Sequence, residues 1–167
     1  MTTIIKWIFI SALGIFVVLE LVALPTLAKQ TNPSVVQEPN WDSEQTRSLA
    51  RRACFDCHSN ETRWPIYSRI APIAWVVTDH VIKGRQELNF SDWGAFDEEA
   101  EEFEEVIREG EMPLPSYLPL HPAARLTAAE KQQLIAGLYA TINNSPVQHH
   151  EAGDGTQRHE RETEQDD

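Results

Sequence analysis

The chain has 167 residues and a formal net charge of −12, from 26 acidic and 14 basic side chains. Nucleic-acid backbones need clustered Lys and Arg, so this balance argues against them and suits a basic protein partner or a solvated acidic surface. Setting aside an apolar N-terminus and a polar C-terminus leaves roughly 100 residues, a single small domain that a buried cofactor would help to stabilise.

Ile4 to Leu24 is apolar on every face and about as long as a bilayer-spanning helix. Lys6 and Trp7 suit the inner interface, and Glu20 interrupts the run near its outer end, where a charge costs less. Residues 1–28 therefore read as a membrane anchor. The alternative is a signal peptide cut after Ala28, in Thr26-Leu27-Ala28, although the apolar run is long for one. Either reading exports the remainder. Residues 29–40, polar and with Pro33 and Pro39, read as an extended linker.

Residues 41–145 carry helical periodicity and form the candidate domain. A first helix is expected from Asp42, as N-cap, to Ala53, with Leu49, Ala50 and Ala53 inward. A second should cover Ala71 to Lys83, with Pro72 in its first turn and Gly84 as a stop. Ile73, Val76, Val77, His80 and Val81 would share its broad face. A third runs from Asp97 to Glu109, with Phe96, Ala100, Phe103, Val106 and Ile107 at helical spacing and glutamates from Glu98 to Glu105 as a solvated face. Thr127-Ala128-Ala129-Glu130 is a capping box that opens a fourth helix, striped by Leu134, Ile135, Leu138, Tyr139 and Ile142. No convincing run of strands is present, so the expected class is all-α. Residues 146–167 have almost no large apolar side chain and read as a disordered acidic tail, with His149, His150 and His159 solvated.

The two cysteines, Cys54 and Cys57, are too few for a disulfide framework. Followed by His58, they form Cys54-Phe55-Asp56-Cys57-His58, the attachment signature of a c-type haem. Two thiols at this spacing can add to the two porphyrin vinyl groups, and the adjacent imidazole then lies under the iron as proximal ligand. Two other readings stand beside it. Structural zinc could take both cysteines with His58, His80 or His121. A thioredoxin-like dithiol would need a βαβ pattern, which is lacking.

Apart from the initiator, Met112 is the only methionine. It sits in Gly110-Glu111-Met112-Pro113-Leu114-Pro115, between the third and fourth helices, where prolines would stiffen a ligand loop. Its thioether is the candidate distal iron ligand. His80 is the rival, and Met112 as a core gap-filler is the bland alternative. His121, before Pro122, should face solvent or brace the loop.

Cys54-Phe55-Asp56-Cys57-His58-Ser59-Asn60-Glu61-Thr62-Arg63-Trp64-Pro65 resembles the opening of the bacterial haem-binding domain family, small cytochrome c-like proteins. Ile70-Ala71-Pro72, Trp75, Asp79-His80-Val81, Gly84-Arg85 and Leu88-Asn89-Phe90-Ser91 continue the likeness. So do Met112-Pro113-Leu114-Pro115, Tyr117, His121-Pro122, Ala124, Leu126 and Glu130. The resemblance implies one covalent haem c on Cys54 and Cys57, His58 as proximal ligand, Met112 as distal candidate, an N-terminal apolar segment and a periplasmic domain.

The expected function is one-electron transfer at the periplasmic face of an inner membrane, with a redox partner protein for which the acidic charge suits a basic surface. A haem-based sensor or small-ligand-binding module is the alternative, and a structural zinc module is a third reading. No Ser/His/Asp grouping or phosphate loop suggests hydrolytic or transfer catalysis.

Overall fold

The computed structural model describes residues 2–95 and 100–144, and the regular elements among them are all helical. They are α1 (Thr2–Leu27), α2 (Glu44–Ala53), α3 (Phe55–His58), α4 (Ile73–Glu87), α5 (Ala100–Glu109) and α6 (Ala128–Asn144), with short 3₁₀ turns between. The all-α expectation is met. The expected start of the acidic helix at Asp97 and the histidine-containing tail lie outside the described residues.

The α1 helix carries the apolar run. Among the described residues it is the one helix long and apolar enough to cross a membrane, at a mean hydropathy of 2.5, and a signal sequence would share those properties. Most of its surface is bare, but Leu19, Glu20, Ala23, Thr26 and Leu27 are shielded, Ala23 completely. These residues recur at helical spacing and form the side packed on α4.

The segment after α1 is extended but not loose. Asn32 Nδ2 donates to the Thr62 carbonyl at 2.9 Å, and Arg85 Nη1 donates to the Thr31 carbonyl at 2.9 Å. Farther on, the Val36 amide donates to the Ser91 carbonyl at 2.8 Å, and Gln37 and Asp92 form an isolated parallel bridge. Backbone groups that would otherwise be solvated are thus bonded to the domain, and the segment acts as a strap across it.

Ser43, not Asp42, caps α2: its hydroxyl accepts from the Thr46 amide at 3.2 Å. The Asp42 carboxylate is turned elsewhere: its Oδ1 lies 3.4 Å from Thr141 Oγ1 on α6, and the same hydroxyl oxygen accepts from the Asp42 amide at 3.1 Å. As expected, Leu49, Ala50 and Ala53 face inward, with Thr46 beside them. Here α6 crosses closely. A Cβ on Gly137 would lie 2.0 Å from Thr46 Oγ1 and 2.6 Å from its Cγ2. Only a residue without a side chain fits that crossing.

The second helix departs most from expectation. It runs from Ile73 through Gly84 to Glu87, so Gly84 is no stop. A Cβ there would meet the Cys57 carbonyl oxygen at 2.7 Å. The glycine serves close approach between α4 and the cysteine motif. The buried face also differs: Ala74, Thr78, Val81 and Gly84 are inside, while Ile73 and Val76 are exposed.

In α5, Ile107 is buried and Phe103 and Val106 are partly so. Its acidic side is not wholly solvated, since Glu104 accepts from Tyr139 Oη on α6 at 3.0 Å and pairs with Arg108. The capping box of α6 forms as expected: the Thr127 amide donates to Glu130 Oε2 at 2.8 Å, and the Glu130 amide donates to Thr127 Oγ1 at 3.2 Å. Glu130 also accepts from Arg52 of α2 at 2.6 Å. The Thr127 backbone donor, then Arg52, holds its carboxyl well below the ordinary value of 4.5, at about 2.

The core combines Leu49, Ala50 and Phe55 with Phe90, Trp93, Ile107, Leu126, Leu134 and Leu138. Phe90 is its centre: its ring stacks on Phe55 at 5.2 Å and on Trp93 at 5.9 Å between centroids, and lies 5.3 Å from Trp41.

The α2–α6 crossing gives a direct test. Gly137→Ala should destabilise the protein by about 1–3 kcal/mol, the usual cost of overpacking. Adding Thr46→Ala should recover part of the loss. Chemical denaturation of the single and double variants measures both effects, and a fully stable Gly137→Ala would contradict this packing.

Candidate functional site

The α2 helix delivers Cys54 at its C-terminal end, where the Cys54 amide still donates to the Ala50 carbonyl at 2.8 Å. The short α3 turn then carries Cys57 and His58, whose backbone amides donate to the Cys54 carbonyl at 3.1 and 2.9 Å. Phe55, between the cysteines, points into the core and anchors the turn. Cys54, Cys57 and His58 are thereby brought together on one rigid corner.

Burial pushes the Cys54 thiol up to about 12, and Cys57, aided by the Asp56 charge, up to about 11. Both sulfurs are free thiols rather than a disulfide. A thioredoxin-type dithiol needs the opposite, a lowered thiol. Zinc is no better served. Among the described residues, no group of three or more His, Cys, Asp or Glu side chains is placed to hold a metal ion.

His58 is oriented by the chain segment after α4. Its Nδ1 lies 3.1 Å from the Leu88 carbonyl oxygen. A carbonyl can only accept, so Nδ1 carries the proton and Nε2 keeps its lone pair. Burial lowers the His58 pKa, partly offset by that carbonyl, which favours the neutral imidazole an iron ligand must be. The Phe90 amide donates back to the His58 carbonyl at 2.8 Å, so backbone and ring are fixed from the same stretch of chain. Arg85 completes the frame by donating from Nε to the Ser59 carbonyl at 2.8 Å and from Nη2 to Thr62 Oγ1 at 2.9 Å.

Met112 is half-buried, and its amide donates to the Val106 carbonyl at 3.0 Å, pinning it to the last turns of α5. Five residues later the chain returns to the motif. Tyr117 Oη donates to Asp56 Oδ2 at 2.6 Å, while Arg63 pairs with Oδ1 at 3.3 Å. Five residues reach at most about 18 Å, so this clasp holds the Met112 loop near the cysteine turn. Burial and the Asp56 carboxylate push the Tyr117 phenol strongly upward, so it remains the donor. His121 braces the loop: it stacks on Tyr117 at 3.7 Å between centroids, and its Nε2 lies 3.3 Å from Tyr67 Oη. His80 is half-buried on α4, one turn before Gly84.

The Leu88 carbonyl, the space at Gly84 and the Asp56–Tyr117 clasp escape any reading by spacing. Carbonyl direction and interhelical distance leave no mark on periodicity. Tyr117 and Asp56 are separated by 61 residues, and a lone tyrosine in a proline-rich loop carries no signal of its partner.

A protein-family model described as a haem-binding domain matches residues 14–140. The match covers most of the chain, and the chain belongs to that family. Its function is therefore haem binding by an all-helical domain behind an N-terminal apolar helix. No curated protein and no solved structure matches the chain.

The clasp is testable by a double-mutant cycle. Tyr117→Phe should cost about 1.5–3 kcal/mol, as expected for a hydrogen bond to a charged acceptor. In an Asp56→Asn background the same change should cost clearly less. Equilibrium unfolding of the four proteins gives the coupling, and strictly additive losses would rule out the clasp.

Proposed function

We propose that the domain carries one c-type haem, bound through thioethers at Cys54 and Cys57, with His58 and Met112 as axial ligands. In this reading it passes single electrons on the periplasmic side of an inner membrane, to which α1 tethers it. The observation that carries the proposal is the His58–Leu88 contact of 3.1 Å. It leaves a buried neutral imidazole, protonated at Nδ1, beside two thiols, and metal-bound histidines are oriented in this way by a carbonyl on their other nitrogen.

The bound haem would supply the Fe(III)/Fe(II) couple. The chain's own residues do the rest. His58 is locked in one tautomer and one direction. Met112 offers a soft thioether that favours reduced iron and raises the potential. The Tyr117–Asp56 clasp keeps its loop closed, and the rings of Phe55 and Phe90 help to exclude water behind the motif. If His58 and Met112 both held the iron, no coordination site would remain for a substrate. A basic redox partner would be favoured by the net charge of −12.

The full chain, produced with haem-maturation machinery, should gain the mass of one haem and keep it through denaturation. Cys57→Ala should weaken that retention. Met112→Ala should lower the reduction potential and abolish any methionine–iron charge-transfer absorption. No added mass would remove the cytochrome reading. An unchanged Met112→Ala spectrum would move the distal ligand to His80, and a five-coordinate ferrous haem that binds CO at once would turn the protein into a ligand-binding module.

A further inference from the structure

The anchor and the haem domain are joined by side-chain contacts as well as by the chain. The Ala71 amide donates to Glu20 Oε1 at 3.1 Å, and Gln30 Nε2 donates to the Ser68 carbonyl at 2.6 Å and to Thr78 Oγ1 at 3.0 Å. With Ala23 fully covered and α1 packed on α4, the domain's position along α1 is set.

That position fixes a depth. Sixteen apolar-run residues from Ile4 to Leu19 span about 24 Å as a helix, against a hydrocarbon core of about 30 Å. Glu20 then falls about 6 Å short of the outer boundary, where its carboxylate has a backbone donor instead of lipid. Whatever flanks Ala71 lies at the same level. Those flanking residues are Ile66, Ile70, Ile73 and Val76, exposed by 83%, 43%, 45% and 53%. Single exposed apolar residues are ordinary on a protein surface, but four clustered within eleven residues beside an anchor are not. Along α4 the exposed face changes away from the anchor. It passes to the Asp79–Lys83 ion pair at 2.8 Å and then to Gln86 and Glu87. The Arg69 side chain, exposed within the apolar set, is long enough to reach lipid phosphate.

We propose that this edge, Ile66 to Val76, is immersed in the outer-leaflet interface of the membrane that α1 spans. The inference rests on the anchor reading of α1. The domain is then seated on lipid at two points rather than hanging from a flexible tether. Gly84, which touches the cysteine turn, lies eleven residues along α4 from Ile73. The haem site therefore stands at most about 17 Å above the immersed edge. A basic protein partner fits this edge poorly, since its exposed surface is apolar with an arginine.

The test uses the haem-loaded full chain in phosphatidylethanolamine/phosphatidylglycerol nanodiscs, with nitroxide labels at I66C or I73C. Leu13→Cys serves as lipid reference and Gln86→Cys as water reference, the native thiols being taken up by haem. Labels at 66 and 73 should favour oxygen over a water-soluble nickel chelate, as the label at 13 does. Readings like that at 86 would overturn the proposal and leave the anchor intact. Shielding from both reagents would mean that a second copy or another protein covers the edge, and would also overturn it. A water-like reading at 13, or a mature chain beginning at Lys29, would overturn the anchor and this inference together. In the unsubstituted chain, hydroxyl radicals should oxidise Ile66 more slowly than Val36, itself 72% exposed. Equal rates would count against immersion without any variant.

Discussion

The approach of α4 to the backbone of Cys57 is the constraint from which the rest of the site follows. It requires a residue without a Cβ at position 84, because any other would collide with the Cys57 carbonyl oxygen. Given that contact, the end of α4 brings Leu88 under His58, and Arg85 reaches the Ser59 carbonyl. The helix thus supplies the floor of the cysteine turn, and the residue that follows it, Leu88, supplies the acceptor that selects the imidazole tautomer. Moving α4 outward by the width of a methyl group would disturb all of these at once. Precise positioning of this kind comes from rigid elements more readily than from loops.

Much of this was legible in the sequence, and the exceptions have physical causes. The all-helical class, the apolar N-terminal helix, the inner stripe of α2 and the capping box at Thr127 all follow from local rules, and local rules decide them. Gly84 reads locally as a helix stop because glycine is the usual terminator. Its role is set by a backbone 27 residues upstream, which no local rule can see. The same holds for the cap of α2. Asp42 and Ser43 are both competent caps, and the choice falls to Ser43 in a structure where Asp42 is engaged with Thr141 of α6. The cysteine turn itself is legible because its chemistry depends on covalent spacing. The frame around it depends on tertiary contacts.

The misjudged face of α4 teaches something further. Ile73 and Val76 belong to an apolar stripe by periodicity, and periodicity assumes that apolar side chains turn toward a protein core. Here an apolar helix, α1, packs against the side of α4, so the surroundings of that face are not those of an isolated domain. If α1 spans a membrane as proposed, the departure of Ile73 and Val76 from the core would follow the hydrophobic rule applied to two solvents instead of one. The extended segment from Lys29 to Asn40 supports the same view. Its bonds to Thr62, Arg85 and Ser91 remove the slack that a polar, proline-containing stretch would otherwise give.

Charge is distributed with comparable economy around the motif. Asp56 sits inside the cysteine turn, where its carboxylate helps to raise the Cys57 thiol. Its place is explained by what it holds: Arg63 from the segment that follows and Tyr117 from the loop that carries Met112. The carboxylate links the side of the site that bears the histidine to the side that bears the methionine. A hydrogen bond to a charged acceptor is stronger than a neutral one, and here it closes a loop of 61 residues. The Met112 loop can therefore remain short of regular structure and still be held in place. Were Met112 to hold the iron as proposed, it would need this more than a histidine would, because an unbranched, flexible side chain contributes little orientation of its own.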